Sequence, residues 1–112
     1  MIKVILFDWF GVLYNLNIDR YVLDIAFLLK DKGYKIGVLS NMSQPDKNYL
    51  LEEVGLSGIF DYFLTSSELG HIKPSREIFY SMLEELQINP HECIFIDDSK
   101  SNIEVAKSIG IK

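Results

Sequence analysis

Ile2-Lys3-Val4-Ile5-Leu6-Phe7-Asp8 opens this chain with an apolar, partly β-branched run that halts on a carboxylate. Near the other end, Cys93-Ile94-Phe95-Ile96-Asp97-Asp98 repeats the arrangement. Runs this short read as buried strands, because a helix needs roughly 10–12 residues to bury a face. Residues 35–39 and 60–65 add two more, giving predicted strands at 2–7, 35–39, 60–65 and 92–96. Segments at helical spacing separate them. Tyr21, Leu23, Ile25, Ala26, Leu28 and Leu29 mark a first helix that ends before Gly33. A second is expected from about Pro45 to Val54, closed by Gly55, and a third from about Ser75 to Leu86, with Pro90 barring its continuation. A last helix covers about Ser101 to Ile109, before Gly110. Strand and helix in alternation predict an α/β domain around a central parallel sheet of about four strands.

With 112 residues, 48% of them hydrophobic, the chain can fill one core, so a single domain over 1–112 is expected. Its one cysteine, Cys93, sits in an apolar strand and cannot form an internal disulfide, which suits a reducing, cytoplasmic setting. The first apolar run falls far short of the ~20 residues of a membrane span, so no membrane association is expected. A net charge of -5, with 11 Lys and Arg residues scattered along the chain, would repel nucleic-acid phosphates. Nucleic acid is therefore not an expected partner. His71 and His91 stand apart from each other and from Cys93, so they read as surface residues.

Ligands of open parallel sheets bind beyond the carboxyl ends of the strands. Here those ends carry Asp8, Ser40-Asn41, Thr65-Ser66-Ser67 and Asp97-Asp98, with Lys73 ahead of the third helix. Taken singly, Asp8 could end a strand and Asp97-Asp98 could cap a helix. Together they put three carboxylates at one edge, where they repel unless one is protonated or a hard cation binds. Magnesium accepts carboxylate, water and phosphate oxygens, so the pattern points to a metal site that handles phosphate.

These residues also resemble the haloacid dehalogenase superfamily of hydrolases over nearly the whole chain. The resemblance rests on four segments in order: Phe7-Asp8-Trp9-Phe10-Gly11-Val12-Leu13, Val38-Leu39-Ser40-Asn41, Ser67 to Pro74 followed by Ile78-Phe79, and Phe95-Ile96-Asp97-Asp98-Ser99 continuing through Asn102 and Ala106 to Gly110. It implies a three-layer Rossmann-like domain and magnesium-dependent hydrolysis of phosphate esters through a phosphoaspartyl intermediate. By the same resemblance Asp8 is nucleophile and metal ligand, and Lys73 neutralises charge on Asp8 and the transferring group. Ser40 and the Asn41 amide would hold phosphate oxygens. Asp97, Asp98 and the Phe10 carbonyl would complete the magnesium site.

Three departures from the family pattern stand out. Phosphatases of the superfamily usually carry an acid–base aspartate where this chain has Phe10, whose ring cannot move a proton. That substitution predicts impaired or specialised turnover, and it opens an alternative: a non-catalytic domain that binds metal and phosphate. A haloacid dehalogenase is a further alternative, ranked lower because Asp97-Asp98 resembles the metal-binding phosphatase form. Neither usual insertion point leaves room for a cap domain, so large, even macromolecular, phosphorylated substrates are admitted. Finally, relatives usually continue past Gly110-Ile111 into a fifth strand, which here predicts a less covered sheet edge and either homo-oligomers or a shortened, less stable core.

Overall fold

The computed structural model describes residues 1–112 and centres on strands β1 (Val4–Phe7), β4 (Lys35–Ser40), β5 (Tyr62–Thr65) and β6 (Cys93–Ile96). All pair in parallel, in the order β5-β4-β1-β6. A small antiparallel hairpin, β2 (Tyr14–Asn15) and β3 (Asn17–Ile18), follows β1. The helices are α1 (Arg20–Asp31), α2 (Gln44–Asn48), α3 (Ser66–Leu69), α4 (Arg76–Leu86) and α5 (Lys100–Ser108). This is the three-layer α/β architecture expected. Between β1 and α1 lies only the hairpin, with no cap domain.

Alternating side chains build the layers. Val4 and Leu6 enter one core with α4 and α5 residues such as Phe79, Met82 and Ala106, whereas Ile5 and Phe7 enter the other with Ala26 of α1. Burial on both faces explains why β1 is apolar throughout rather than alternating. Gly37 of β4 is required by packing, since a Cβ there would lie 2.9 Å from both Leu6 Cδ2 and the Tyr62 carbonyl. Cys93 is fully buried, as expected, and burial pushes its thiol up to about 12.

Several boundaries differ from the sequence reading, each for a local reason. The third strand begins at Tyr62 rather than residue 60. The second helix starts at Gln44 under a Ser43 cap and passes into a π-helical turn, Tyr49–Glu53. Helix α4 stops where Gln87 turns left-handed at φ 53°, so Pro90 is not its terminator and instead opens the 3-10 turn Pro90–Glu92. Ser99, not Asp97 or Asp98, caps α5. Helix α3 is additional to the four helices expected, and Thr65-Ser66-Ser67-Glu68 carries the capping-box spacing that starts it. Lys112 pairs along β6, donating to the Cys93 carbonyl and accepting from Phe95, both at 3.0 Å. No helix is long and apolar enough to cross a membrane.

Candidate active site

Strand register delivers the carboxylates. Phe7 pairs with Ile96, so Asp8 and Asp97 leave the sheet as neighbours, and the Asp8 N–H still donates to the Ile96 carbonyl at 2.9 Å. Both side chains are buried, whereas Asp98 is exposed. One carboxylate oxygen from each of the three lies within 4.8 Å of the others.

Lys73 ties the cluster together from the loop before α4. Its ammonium, almost wholly buried, donates to Asp8 Oδ1 at 2.9 Å, Asp97 Oδ2 at 3.0 Å and the Leu39 carbonyl at 3.0 Å. Those bonds use all three of its donors. The Asn41 side chain clamps the Lys73 backbone, accepting its N–H at 2.8 Å and donating to its carbonyl at 3.1 Å. Asn41 thus positions Lys73, a task its sequence position did not announce.

The two buried aspartates are tuned in opposite directions. Burial pushes the Asp8 carboxyl above the usual carboxylate range, and the hydrogen bond and charge of Lys73 offset only part of this. Burial would do the same to Asp97, but the Ser99 N–H, the Asn102 amide and Lys73 outweigh it and hold Asp97 low. Asn102 Nδ2 donates to Asp97 Oδ2 at 2.9 Å. The sequence reading gave Asn102 no site role, although one turn into α5 is where a side chain can reach back to the strand end.

A cleft of about 180 Å3 opens beside this cluster, lined by Asp8, Phe10, Ser40, Asn41, Lys73 and Asn102. Ser40 Oγ is buried there without a hydrogen-bond partner. Such a hydroxyl costs on the order of 1–3 kcal/mol unless something fills its place. Every site residue expected from the sequence therefore gathers at this edge. The Thr65-Ser66-Ser67 hydroxyls do not: Thr65 caps α3, and Ser66 accepts the Met42 N–H at 3.0 Å.

The donor set fits a hard divalent cation, being oxygen only and partly buried. Gly11, at φ 86°, lies against Asp98 so closely that a Cβ would overlap its carboxylate. The Phe10–Tyr14 bridge uses the Gly11 N–H and the Trp9 carbonyl, leaving the Phe10 carbonyl outside that pairing.

A family model described as haloacid dehalogenase-like hydrolase matches residues 19–110. The chain belongs to that family. It is 33% identical over 99 residues to bifunctional epoxide hydrolase 2 of Rattus norvegicus, covering 85% of this chain and 18% of that protein. It is 32% identical over 110 residues to D-ribitol-5-phosphate phosphatase of Bacteroides thetaiotaomicron, covering 93% of this chain and 52% of the relative. The chain thus spans at most about half the length of these two relatives. A family enzyme from B. thetaiotaomicron, solved with magnesium and inorganic phosphate, superposes on all of this chain and 92% of its own, with TM-score 0.86 at 22% identity. Its magnesium complex superposes with TM-score 0.72 at 31% identity, over 85% of this chain and 50% of its own.

Proposed function

We propose that this domain hydrolyses phosphomonoesters with magnesium, in a cytoplasmic setting, through a covalent intermediate on Asp8. The observation that carries the reading is one buried ammonium, Lys73, bonded to both Asp8 and Asp97 beside the unpartnered Ser40 hydroxyl in a single cleft. Asp8, Asp97, Asp98 and the Phe10 carbonyl would hold magnesium, which when bound would neutralise phosphoryl charge.

The chain's own groups account for the remaining chemistry. A carboxylate oxygen of Asp8 attacks phosphorus, and the ester oxygen leaves with the bonding pair and takes a proton from water. Ser40 and the Asn41 backbone N–H hold phosphoryl oxygens, while Lys73 balances the charge spread over them. Water then attacks phosphorus of the acyl phosphate, which releases phosphate and restores Asp8. Phe10 can neither protonate the leaving oxygen nor activate that water, so both steps are slow. With no cap over the cleft, substrate size is not restricted.

A second reading, a domain that binds metal and phosphate without turnover, is favoured by Phe10 alone. The experiment that separates the two is hydrolysis of an aryl phosphate with magnesium, in the parent and in Phe10→Asp. General acid–base help contributes ~10²–10⁴-fold, so a folded variant with an imperfectly placed carboxyl is expected to be about 10-fold faster or more. The gain is expected to vanish when Asp8→Asn is added. A folded, magnesium-binding pair with no turnover in either protein would establish the binding role instead.

A further inference from the structure

Phe10 faces two spaces. On one side it lines the cleft with Asp8, Ser40 and Lys73, and on the other it begins an apolar groove of about 420 Å3. The groove runs between the hairpin side, with Tyr14 and Ile18, and the α2 side, with Tyr49, Leu50 and Val54. Phe10 is 49% exposed and Tyr49 59% exposed, so much apolar surface here is left in contact with water. The wall is stiff: the Trp9 and Tyr14 rings stack at 5.8 Å, and Phe10 meets Tyr14 edge-on at 6.4 Å. Asp46 is the one charged residue of the lining.

We propose that this groove receives the alcohol portion of the phosphomonoester, and that this portion is an alkyl or aryl group bearing no second anion. The proposal rests on the phosphoester reading above. Phe10 lines both spaces, so a substituent on a phosphoryl group in the cleft would meet the groove at its ring, and the apolar lining there favours an alkyl or aryl group. The charge of Asp46 disfavours a carboxylate or second phosphate there. A serine-rich hollow that also adjoins the cleft at Asn41 is the competing receptor for a hydroxylated alcohol, but three of its hydroxyls already accept backbone N–H groups. Ser43 and Ser75 cap α2 and α4, and Ser66 bonds the Met42 backbone. On this account Phe10 exchanges proton transfer for an apolar contact.

Calorimetric titration of the magnesium-loaded protein with methyl-, propyl- and hexylphosphonate tests this without turnover, because the C–P bond resists the phosphoester reaction. Affinity is expected to rise about two- to four-fold per added methylene as each enters the groove. Inorganic phosphate is expected to displace all three ligands, and Tyr49→Ser, a change at an exposed position, to flatten the chain-length dependence. If methylphosphonate binds and hexylphosphonate binds no tighter, the groove proposal is overturned while the phosphoester reading stands. Hexylphosphonate that phosphate cannot displace would also overturn it, by separating groove from cleft. If neither phosphate nor methylphosphonate binds, the phosphoester reading fails and the groove proposal falls with it.

Discussion

Ser40 and Thr65 are partners in register at the ends of adjacent strands β4 and β5, and both are fully buried. Yet their hydroxyls do opposite things. Thr65 Oγ1 contacts Ser67 Oγ at 3.0 Å, donates to Glu68 Oε1 at 2.9 Å and accepts the Glu68 N–H, so it starts helix α3. Ser40 Oγ has no partner and faces the cleft. At a strand end, scaffold and site are told apart by what the hydroxyl bonds. A hydroxyl satisfied by its own helix holds the fold, whereas a buried one with no protein partner beside a cleft is available to what binds there.

The largest effect is expected where the two roles meet in one residue, Lys73. Lys73→Met leaves Asp8 and Asp97 buried without their cation, which costs about 3–5 kcal/mol in urea unfolding at neutral pH without metal. Millimolar magnesium is expected to restore part of that loss, because the cation replaces the missing positive charge. An unfolding midpoint unchanged in Lys73→Met would show that the ammonium does not hold the cluster together.

The two hydroxyls themselves give a smaller, crossed pair of effects. Ser40→Ala is expected to raise the stability of the ligand-free protein by about 1 kcal/mol or more, since a buried hydroxyl without a partner is removed, and to weaken phosphate binding about ten-fold through a lost charge-assisted hydrogen bond. Thr65→Ala is expected to cost about 1 kcal/mol of stability through the lost cap and to leave phosphate affinity in place. Unfolding curves and phosphate titrations of both variants check the crossing. Equal losses in both assays for both variants would erase the distinction between the strand ends.

Much of this architecture was legible before the structure. The runs Val4–Phe7 and Cys93–Ile96 announced strands because both faces of the sheet are covered, and their terminal aspartates announced a shared edge. As strand-end pairs Ser40-Asn41 and Thr65-Ser66 look alike, and the signal that Thr65 is consumed by a cap lies beyond the pair. Only the helix start at Ser66, set by Glu68 three residues after Thr65, separates them. Asn41 as a clamp and Asn102 as an Asp97 partner were hidden, because each depends on a tertiary approach: 32 residues separate Asn41 from Lys73. The apolar groove was invisible for the same reason, with Phe10 legible as a missing acid but not as a wall.

The most direct test of the central claim is mass analysis of the peptide carrying Asp8 after acid quenching of a reaction with magnesium and an aryl phosphate. An aryl leaving group needs little protonation, whereas water attack on the acyl phosphate has no general base at position 10, so the phosphorylated form should accumulate. A phosphoryl group is expected on Asp8 that requires magnesium and is absent in Lys73→Met. A folded protein that binds magnesium and phosphate, releases phosphate from the substrate, and never carries label on Asp8 would contradict that claim.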